Sequence, residues 1–187
     1  MIRLSPATAT ITAGSSQAYT AEGQDVYNNS LGDVTAGTAF VITPDGTCTG
    51  ASCTATVADG ASTHHTVTGT DSLKTGNATL TVNPAATTQV VFSALATTAA
   101  IKVATTFTLT AEDAYGNTTP TYVGQVHFTS TDLAAVPPSD YTFGAPENGV
   151  HAGFSITFET AGSWTISAHD TAGGSTIAGT SGSVAVS

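Results

Sequence analysis

Hydrophobic and polar residues alternate along short segments of this chain. In FTLTAE, Phe107, Leu109 and Ala111 share one side of an extended strand, and threonine and glutamate fall on the other. WTISAHD repeats the pattern, with Trp164 and Ile166 on the apolar side. Glycine, proline, asparagine and aspartate separate these segments, and no helical period of about 3.6 residues runs through them. The pattern predicts an all-β protein whose antiparallel strands bury one face each, as in a sandwich of two sheets.

The alternating segments occur in the same order twice. The corresponding segments are TAEGQDVYNNS with TAEDAYGNT, FVI with VHF, His65 with Trp164, and Leu80 with Val184. The chain is therefore predicted to hold two copies of one Greek-key unit of about seven strands, residues 1–84 and 85–187. Pro84 stiffens the short linker between the copies, and the second copy carries a longer loop at residues 129–150.

The repeated segments resemble the bacterial immunoglobulin-like repeats of surface and secreted proteins, which include the invasin and adhesin type. In the first copy the resemblance is carried by SPATATITAGSSQAYTAEGQDVYNNS, HHTVTGTD and GNATLTV; in the second, by FTLTAEDAYGN, YVGQVHFTSTD, DYTF, ENGVH and TAGSWTISAHD. It extends over nearly the whole chain. It implies two tandem immunoglobulin-like Greek-key β-sandwiches that serve as a stalk, a spacer or an adhesive tip. The antibody pattern of two cysteines and a tryptophan bridging the sheets does not occur in the sequence.

Charge excludes several classes of partner. Only 9% of the residues are charged, and three basic against thirteen acidic residues give a net charge of −10. Nucleic-acid binding requires lysine and arginine to neutralise phosphate, so we expect no nucleic-acid partner and no docking to anionic lipid. No apolar run approaches the roughly 20 residues of a membrane helix, and no membrane insertion is expected. The start, MIRLSPATA, lacks the apolar stretch of a signal peptide, so if the protein is secreted we expect this chain to be a mature or excised segment.

The two cysteines lie close together, in CTGASC. Four residues, with Gly50 among them, separate Cys48 from Cys53, and a tight hairpin over this span brings the two sulfurs together. We expect a disulfide that contributes about 2 kcal/mol by restricting the unfolded chain. Such a bond indicates an oxidising compartment, extracellular or at the cell surface. Two reduced thiols are the alternative.

The motif written twice, Asp-x-Tyr followed by Gly or Asn and then Asn, has two interpretations. As a turn, Asp25 and Asp113 accept hydrogen bonds from backbone amides, and the tyrosine packs over the end of the sandwich. As a calcium site, Asp25, Asn29, Asp113 and Asn117 supply the hard oxygen ligands that Ca²⁺ prefers. The spacing matches no defined calcium loop, so the turn is favoured. Calcium is the one cofactor that the sequence leaves open, and no other is expected.

Ligand contact is predicted for the long loop of the second copy. A carbohydrate-binding or protein-binding surface needs exposed aromatic and polar side chains, and loops usually carry them. The candidates for such contact are Tyr122, Tyr141, Asp140 and Glu147.

A pair of adjacent histidines falls on a predicted strand of the first copy. Neighbouring strand residues point to opposite faces, so His64 and His65 are not expected to share a metal. The alignment places His65 at the inward position of Trp164, which suggests a packing role inside the sandwich.

No catalytic signature occurs in the sequence, which has no phosphate-binding loop, zinc-protease motif or nucleophile elbow. We therefore predict that the protein is not an enzyme but a structural spacer of an extracellular or cell-surface bacterial protein, such as a stalk, adhesin or filament repeat. The expected partners are neighbouring immunoglobulin-like repeats of the same or another chain, and a surface glycan or host protein. The alternatives are a module that binds a glycan, a host protein or calcium for adhesion, and an accessory domain of a secreted enzyme.

Overall fold

The computed structural model describes residues 1–60 and 64–187 and divides the chain into two compact units, Met1–Ala85 and Ala86–Ser187. Regular structure is almost entirely β, which confirms the predicted fold class. Each unit has one short 3-10 turn in its described part, Thr35–Gly37 in unit 1 and Ala145–Glu147 in unit 2. No helix in the described part of the chain has the length and apolarity to span a membrane.

Ten strands form the described part of each unit, because the long segments of the sandwich are interrupted. In unit 1 they are β1 (Ile2–Ser5), β2 (Thr8–Thr12), β3 (Ser16–Ala18), β4 (Thr20–Gln24), β5 (Ser30–Asp33), β6 (Ala39–Thr43), β7 (Thr47–Thr49), β8 (Ser52–Thr54), β9 (His65–Asp71) and β10 (Lys74–Asn83). In unit 2 they are β11 (Gln89–Ser93), β12 (Thr98–Ala99), β13 (Ala104–Glu112), β14 (Gln125–Ser130), β15 (Tyr141–Thr142), β16 (Val150–Thr157), β17 (Gly162–Trp164), β18 (Ile166–Asp170), β19 (Ala178–Thr180) and β20 (Val184–Val186).

The connectivity of unit 1 is that of an immunoglobulin-like Greek key. One layer contains β1-β4-β5 together with β3-β8-β7, since β3 and β4 are separated by Tyr19 alone. The other layer has the order β2-β10-β9-β6. The first segment of the chain thus pairs antiparallel with the first layer through β1 and parallel with the last strand, β10, through β2. This non-sequential order places the first and last strands side by side.

Unit 2 repeats this arrangement. Strand β11 pairs antiparallel with β13, which pairs with β16, while β12 pairs parallel with the final strand β20. Strand β11 also pairs parallel with β19, which pairs with β18, and β18 pairs with β14, so the hydrogen-bonded order β15-β14-β18-β19-β11-β13-β16 forms one seven-stranded sheet. The long segment after β14 contributes its own edge strand, β15, which pairs with β14. Residues 129–150 are therefore partly built into the sheet rather than forming a free loop.

Alternation along the strands explains the two cores. In β9 the burial alternates from His65 through Val67 to Gly69, and in β10 from Ala78 through Leu80 to Val82. In unit 2, Phe107 lies in contact with the rings of Phe92, Phe128 and Phe154, at centroid distances of 5.2, 5.8 and 5.5 Å. Each unit encloses its own cluster of buried side chains, and the two clusters have no residue in common.

Because the two cores share no residue, a cavity in one is expected to leave the stability of the other unchanged. Leu80 and Leu109 are both fully buried, one in each core. Truncation of either to alanine should lower the stability of its own unit by about 2–5 kcal/mol. Differential scanning calorimetry of Leu80→Ala and Leu109→Ala measures the effect, with Leu133→Ala as the control, since Leu133 is 97% exposed. A transition that both core variants displace equally would contradict two separate cores.

Candidate functional site

The twice-written motif forms the same turn in both units. Asp25 Oδ1 accepts hydrogen bonds from the backbone amides of Tyr27 and Asn29, each at 2.8 Å, and Asp25 Oδ2 accepts one from the Asn29 side chain at 2.8 Å. In unit 2, Asp113 accepts the equivalent three bonds from Tyr115 and Asn117, each at 2.9 Å.

The fourth position of each turn adopts a left-handed backbone, with φ of 65° at Asn28 and 81° at Gly116. Glycine and asparagine tolerate this conformation better than other residues, which accounts for their use here. The turn therefore needs the aspartate as a hydrogen-bond acceptor and a glycine or asparagine at the position with positive φ.

The carboxylates of these turns face backbone and amide donors. Hydrogen bonds from Asn29 hold the pKa of Asp25 below its ordinary value, because they favour the charged form. Asp113 differs from Asp25 in being completely buried. The expectation that the tyrosine covers the end of the sandwich is wrong for Tyr27, which is 81% exposed. Calcium binding by Asp25, Asn29, Asp113 and Asn117 stays a prediction beside this turn role.

The disulfide lies in the hairpin formed by β7 and β8. Cys48 and Cys53 are directly opposite in the pairing of these strands and are bonded to each other. Gly50, with φ of 58°, makes the turn between them. Cys53 is fully buried and belongs to the core of unit 1, so the bond anchors this short hairpin to the interior.

A buried histidine between two aspartates is the main polar feature of unit 1. The Nε2 atom of His65 contacts Asp45 Oδ1, and its Nδ1 atom lies 2.7 Å from Asp59 Oδ1. His65 is 2% exposed, and the Asp59 side chain is 5% exposed. Burial alone disfavours the imidazolium, but the bonds to Asp45 and Asp59 outweigh it and raise the pKa of His65.

The adjacent histidine joins the same group. His64 precedes β9 instead of lying on a strand, and its Nδ1 atom is 2.8 Å from Asp59 Oδ2. Both histidines therefore meet one carboxylate, although neighbouring strand residues were expected to diverge. The inward position of His65 is as the alignment indicated, but its role is ionic and not merely packing. We call Asp45, Asp59, His64 and His65 the unit 1 brace.

The brace connects three separate parts of unit 1. Asp45 follows β6 and also accepts hydrogen bonds at 3.3 Å from the amides of Thr56 and Val57, which follow β8. Asp59 and His65 add the segment that leads into β9. Its chemistry is that of a structural link, because carboxylates engage both imidazole nitrogens of His65.

Unit 2 uses an aspartate at the equivalent place. Asp132 lies two residues after β14, as Asp45 lies two residues after β6, and it accepts bonds from the amides of Glu159 at 2.9 Å and Thr160 at 3.2 Å. Burial opposes its ionisation, but these amides, with that of Ala134, hold the pKa of Asp132 below its ordinary value. The sequence interpretation missed both aspartates. Their common position after corresponding strands is the signal that could have identified them.

The two predicted ligand-contact tyrosines both pack into the interior of unit 2. Tyr122 is 6% exposed, and its hydroxyl donates to Asp170 Oδ2 at 2.7 Å. Burial, and then the neighbouring carboxylate, raise the pKa of Tyr122 far above its ordinary value. The expectation of an exposed aromatic at this position is therefore wrong. Tyr141 is half-buried and packs against Phe143 and Phe154.

The acidic candidates of the same segment also have partners. Glu147 accepts hydrogen bonds from the Tyr141 hydroxyl and the Gly144 amide, both at 2.6 Å, and contacts His151 Nδ1. This group ties β15 to β16. Asp140 lies apart from it and bonds to His127 Nδ1 at 2.6 Å, with both side chains about half exposed. The structure thus divides the four predicted contact residues among the core, a structural tie and one exposed pair.

A polar hollow lies on the outer face of the β1-β4-β5 sheet of unit 1. Its volume is about 410 Å³, and its lining includes Arg3, Glu22, Asp33, Ser5 and Thr20. Arg3 and Glu22 face each other across β1 and β4, with 3.9 Å between guanidinium and carboxylate. Within residues 1–60 and 64–187, no group of three or more His, Cys, Asp and Glu side chains is arranged to hold a metal ion.

Comparison with known proteins gives distant structural similarities only. No protein-family model matches the chain, and no curated protein matches it. The chain is similar to the Escherichia coli adhesin FdeC, at 19% identity over 100% of this chain and 63% of that chain, with a TM-score of 0.43. The Yersinia pseudotuberculosis adhesin InvE has 15% identity over 100% and 58% of the two chains, with a TM-score of 0.39.

A further similarity is to a glycosyl hydrolase family 2 member from Bacteroides cellulosilyticus, at 12% identity over 94% of this chain and 23% of that chain, with a TM-score of 0.45. The chain therefore spans less than two thirds of each of these proteins. Identities and TM-scores this low assign neither a function nor a ligand. The fold class rests on the topology itself, which is that of two immunoglobulin-like sandwiches in tandem along the chain.

The unit 1 brace makes the stability of unit 1 depend on pH. The pKa of His65 is raised on folding, so its stabilisation is complete below the ordinary value of 6.5 and is lost as the pH rises through the higher folded-state value. The pKa of Asp45 is lowered on folding, so its contribution is present above the ordinary value of 3.8 and is lost at lower pH. Unit 1 should therefore be most stable near about pH 5–6 and less stable at about pH 8.

Thermal unfolding followed across this pH range tests the expectation. His65→Gln should remove the decline in the stability of unit 1 above pH 6.5, because no imidazole then titrates between Asp45 and Asp59. His64→Gln is the matched control and should retain the decline. An unchanged pH profile in His65→Gln would contradict the role of the brace.

Removal of the buried turn acceptor should destabilise unit 2. Asp113→Ala leaves the amides of Tyr115 and Asn117 without their acceptor, at a cost of about 1–3 kcal/mol. Asp113→Asn keeps a side-chain oxygen and should cost less. Calorimetry measures both variants, in the absence and presence of millimolar Ca²⁺. We expect calcium to leave the unfolding temperature of the wild type unchanged. An unfolding temperature that rises with calcium in the wild type but not in Asp113→Ala would instead support a cation at the turn.

Proposed function

We propose that the chain is a non-catalytic structural spacer of an extracellular or cell-surface bacterial protein, and that its sandwiches bear tension along the chain. The observation that carries this proposal is the parallel pairing of the first segment of each unit with its last strand. Tension applied through the chain ends pulls two such parallel strands along their length in opposite directions. Their hydrogen bonds are then loaded together and not one after another.

In unit 1 this pairing is long. Five residues of β10, from Thr79 to Asn83, pair with five of β2, from Thr8 to Thr12. The ladder continues beyond β2 at both ends, with Thr79 N donating to Ala7 O at 2.9 Å and Ala13 N donating to Asn83 O at 2.8 Å. Unit 1 therefore has an extended group of bonds that must break together.

In unit 2 the equivalent pairing is short. Only Thr98 and Ala99 of β12 pair with β20. Additional bonds come from the flanking backbone, with Ala185 N donating to Thr97 O at 2.9 Å and Ser187 N donating to Ala99 O at 3.1 Å. The two units should accordingly resist tension to different extents.

The surface chemistry of the chain supports an extracellular location in this proposal. The disulfide of unit 1 is the kind of bond that oxidising compartments preserve. Charged residues make up only 9% of the chain, as is common in secreted β-proteins. The predicted contact residues Tyr122, Tyr141 and Glu147 form bonds within unit 2, which favours a spacer over a binding module. The partners that we propose are neighbouring immunoglobulin-like repeats of the same or another chain.

A binding module is the second candidate function. The observation that favours it is the polar hollow of unit 1, where Arg3, Glu22 and Asp33 present donors and acceptors suited to a hydroxyl-rich glycan. A glycan array with the wild type and with Glu22→Ala would test it, and a binding signal lost in the variant would favour the module over the spacer. An adjoining catalytic domain in the parent gene would instead favour an accessory domain of an enzyme.

Single-molecule force spectroscopy tests the spacer. Extension of the chain from its two ends should give two unfolding events, with unit 1 unfolding at the higher force because its parallel ladder is longer. The events are assigned with Leu80→Ala and Leu109→Ala, each of which should lower the force of its own unit. Two events of equally low force, unaffected by changes in β2, would contradict a load-bearing role.

A pair of proline variants in β2 isolates the ladder. Ala13 N donates to β10, and donors alternate along a strand, so the amide of Ala9 also faces β10 while that of Thr10 faces away. Ala9→Pro removes a ladder donor and should lower the unfolding force of unit 1. Thr10→Pro is the matched control and should lower it much less.

A further inference from the structure

Two histidines of unit 2 stand side by side on the outer face of the β14-β18 sheet. His127 and His169 are directly opposite in the antiparallel pairing of these strands. Their strand neighbours Val126, Phe128 and Ala168 are buried, so the two imidazoles point away from the core. The ring centroids are 5.2 Å apart, and the ring planes meet at 65°.

An aspartate orients the first of these imidazoles. Asp140 immediately precedes β15, and the pairing of Tyr141 with Val126 places Asp140 beside His127 in the same cross-strand row. The 2.6 Å contact between Asp140 Oδ1 and His127 Nδ1 fixes the proton of the neutral ring on Nδ1. The Nε2 atom of His127 then carries the lone pair. A carboxylate that holds the far nitrogen of a histidine in this way is the usual support of a metal-binding imidazole.

We propose that His127 and His169 bind one divalent metal ion of the borderline class, such as Zn²⁺, Ni²⁺ or Cu²⁺, with Asp140 as a positioning residue. Imidazole nitrogen is a preferred ligand of these ions, whereas Ca²⁺ and Mg²⁺ prefer oxygen. The remaining coordination positions are filled by water, since no three-ligand group is formed among the described residues. The net charge of −10 raises the local concentration of cations at the surface.

The separation of the two rings is that expected for two imidazoles bound to one metal ion. A metal–nitrogen distance of about 2.0–2.1 Å places the centre of each imidazole ring roughly 3.2 Å from the ion. Two rings at a tetrahedral angle would then have centroids about 5.2 Å apart. The centroid distance found between His127 and His169 has this value, so the spacing of the two rings matches that of a pair bound to one ion.

Binding at this place would tie β14 to β18 across the sheet. The ion would bind the folded unit and not the separated strands, so it would raise the unfolding temperature of unit 2 in proportion to the free metal concentration. The expected stabilisation is confined to unit 2, because both histidines belong to it. This site is separate from the proposed spacer role, and neither depends on the other.

Calorimetric titration of tag-free protein with ZnCl₂, NiCl₂ and CuCl₂ tests the proposal, with CaCl₂ as the hard-ion comparison. We expect one site per chain and a higher unfolding temperature for unit 2 alone. His127→Ala and His169→Ala should each weaken binding at least about tenfold, and the double variant should abolish it. Both side chains lie on the solvent face, so these variants should fold; thermal unfolding without metal verifies this.

Two controls make the test specific. His64→Ala removes an exposed histidine of unit 1, and Thr129→Ala changes the outer face of β14 next to His127. Neither should alter the affinity. Binding that survives in the double histidine variant, or that His64→Ala reduces as much as His127→Ala does, would overturn the site.

The positioning role of Asp140 has its own readout. Asp140→Asn should weaken binding by roughly tenfold and should shift the proton of His127 from Nδ1 toward Nε2, which the nitrogen resonances of the ring report. Asp140→Glu should restore part of the affinity. An unchanged affinity and an unchanged tautomer in Asp140→Asn would overturn the assigned role of Asp140.

Discussion

Aspartate carboxylates hold the connections of both sandwiches in place by accepting hydrogen bonds from backbone amides. A strand ladder satisfies its own amides, but the segments that leave the sheets do not, and a buried amide without a partner is costly. Asp25 and Asp113 serve the turn that follows the second long segment of each unit. Asp45 and Asp132 reach across the fold to the segment that follows β8 or β16. Acidic residues outnumber basic ones in this chain, and their buried members are acceptors of hydrogen bonds more than members of ion pairs.

The two units build on this common framework differently. Unit 1 extends the Asp45 contact into the brace by placing His65 and Asp59 beside it, and it closes the neighbouring hairpin with a disulfide. Unit 2 has Trp164 in the corresponding region, and the Trp164 indole donates to Thr160 O at 2.9 Å. There the same segment after the long strand is held by Asp132 and the indole together. A disulfide and an ionic group in one unit thus stand where the other uses an aromatic ring and a longer polypeptide segment.

The first segment and the last strand of each unit pair in parallel, so a force applied at the chain ends would act along these two strands in opposite directions. This pairing follows from the Greek-key order, which brings the chain ends of each unit onto adjacent strands. The outer faces of the sheets remain open to other chemistry, and the row containing Asp140, His127 and His169 is the clearest instance. The proposed spacer role requires only the cores and the ladders, so exposed strand positions are available for a site without cost to the fold.

The sequence by itself determined the strands, the repeat and the local turn. Alternation reports which side of a strand is buried, and the turn at Asp25 or Asp113 is complete within five residues, so neighbouring residues contain all the information. Only the tertiary structure decided which distant side chains meet. Tyr122 reaches Asp170 across 48 positions, and His65 reaches Asp45 across 20. Such contacts depend on the strand order and on the register between strands, which the period of hydrophobic residues does not specify.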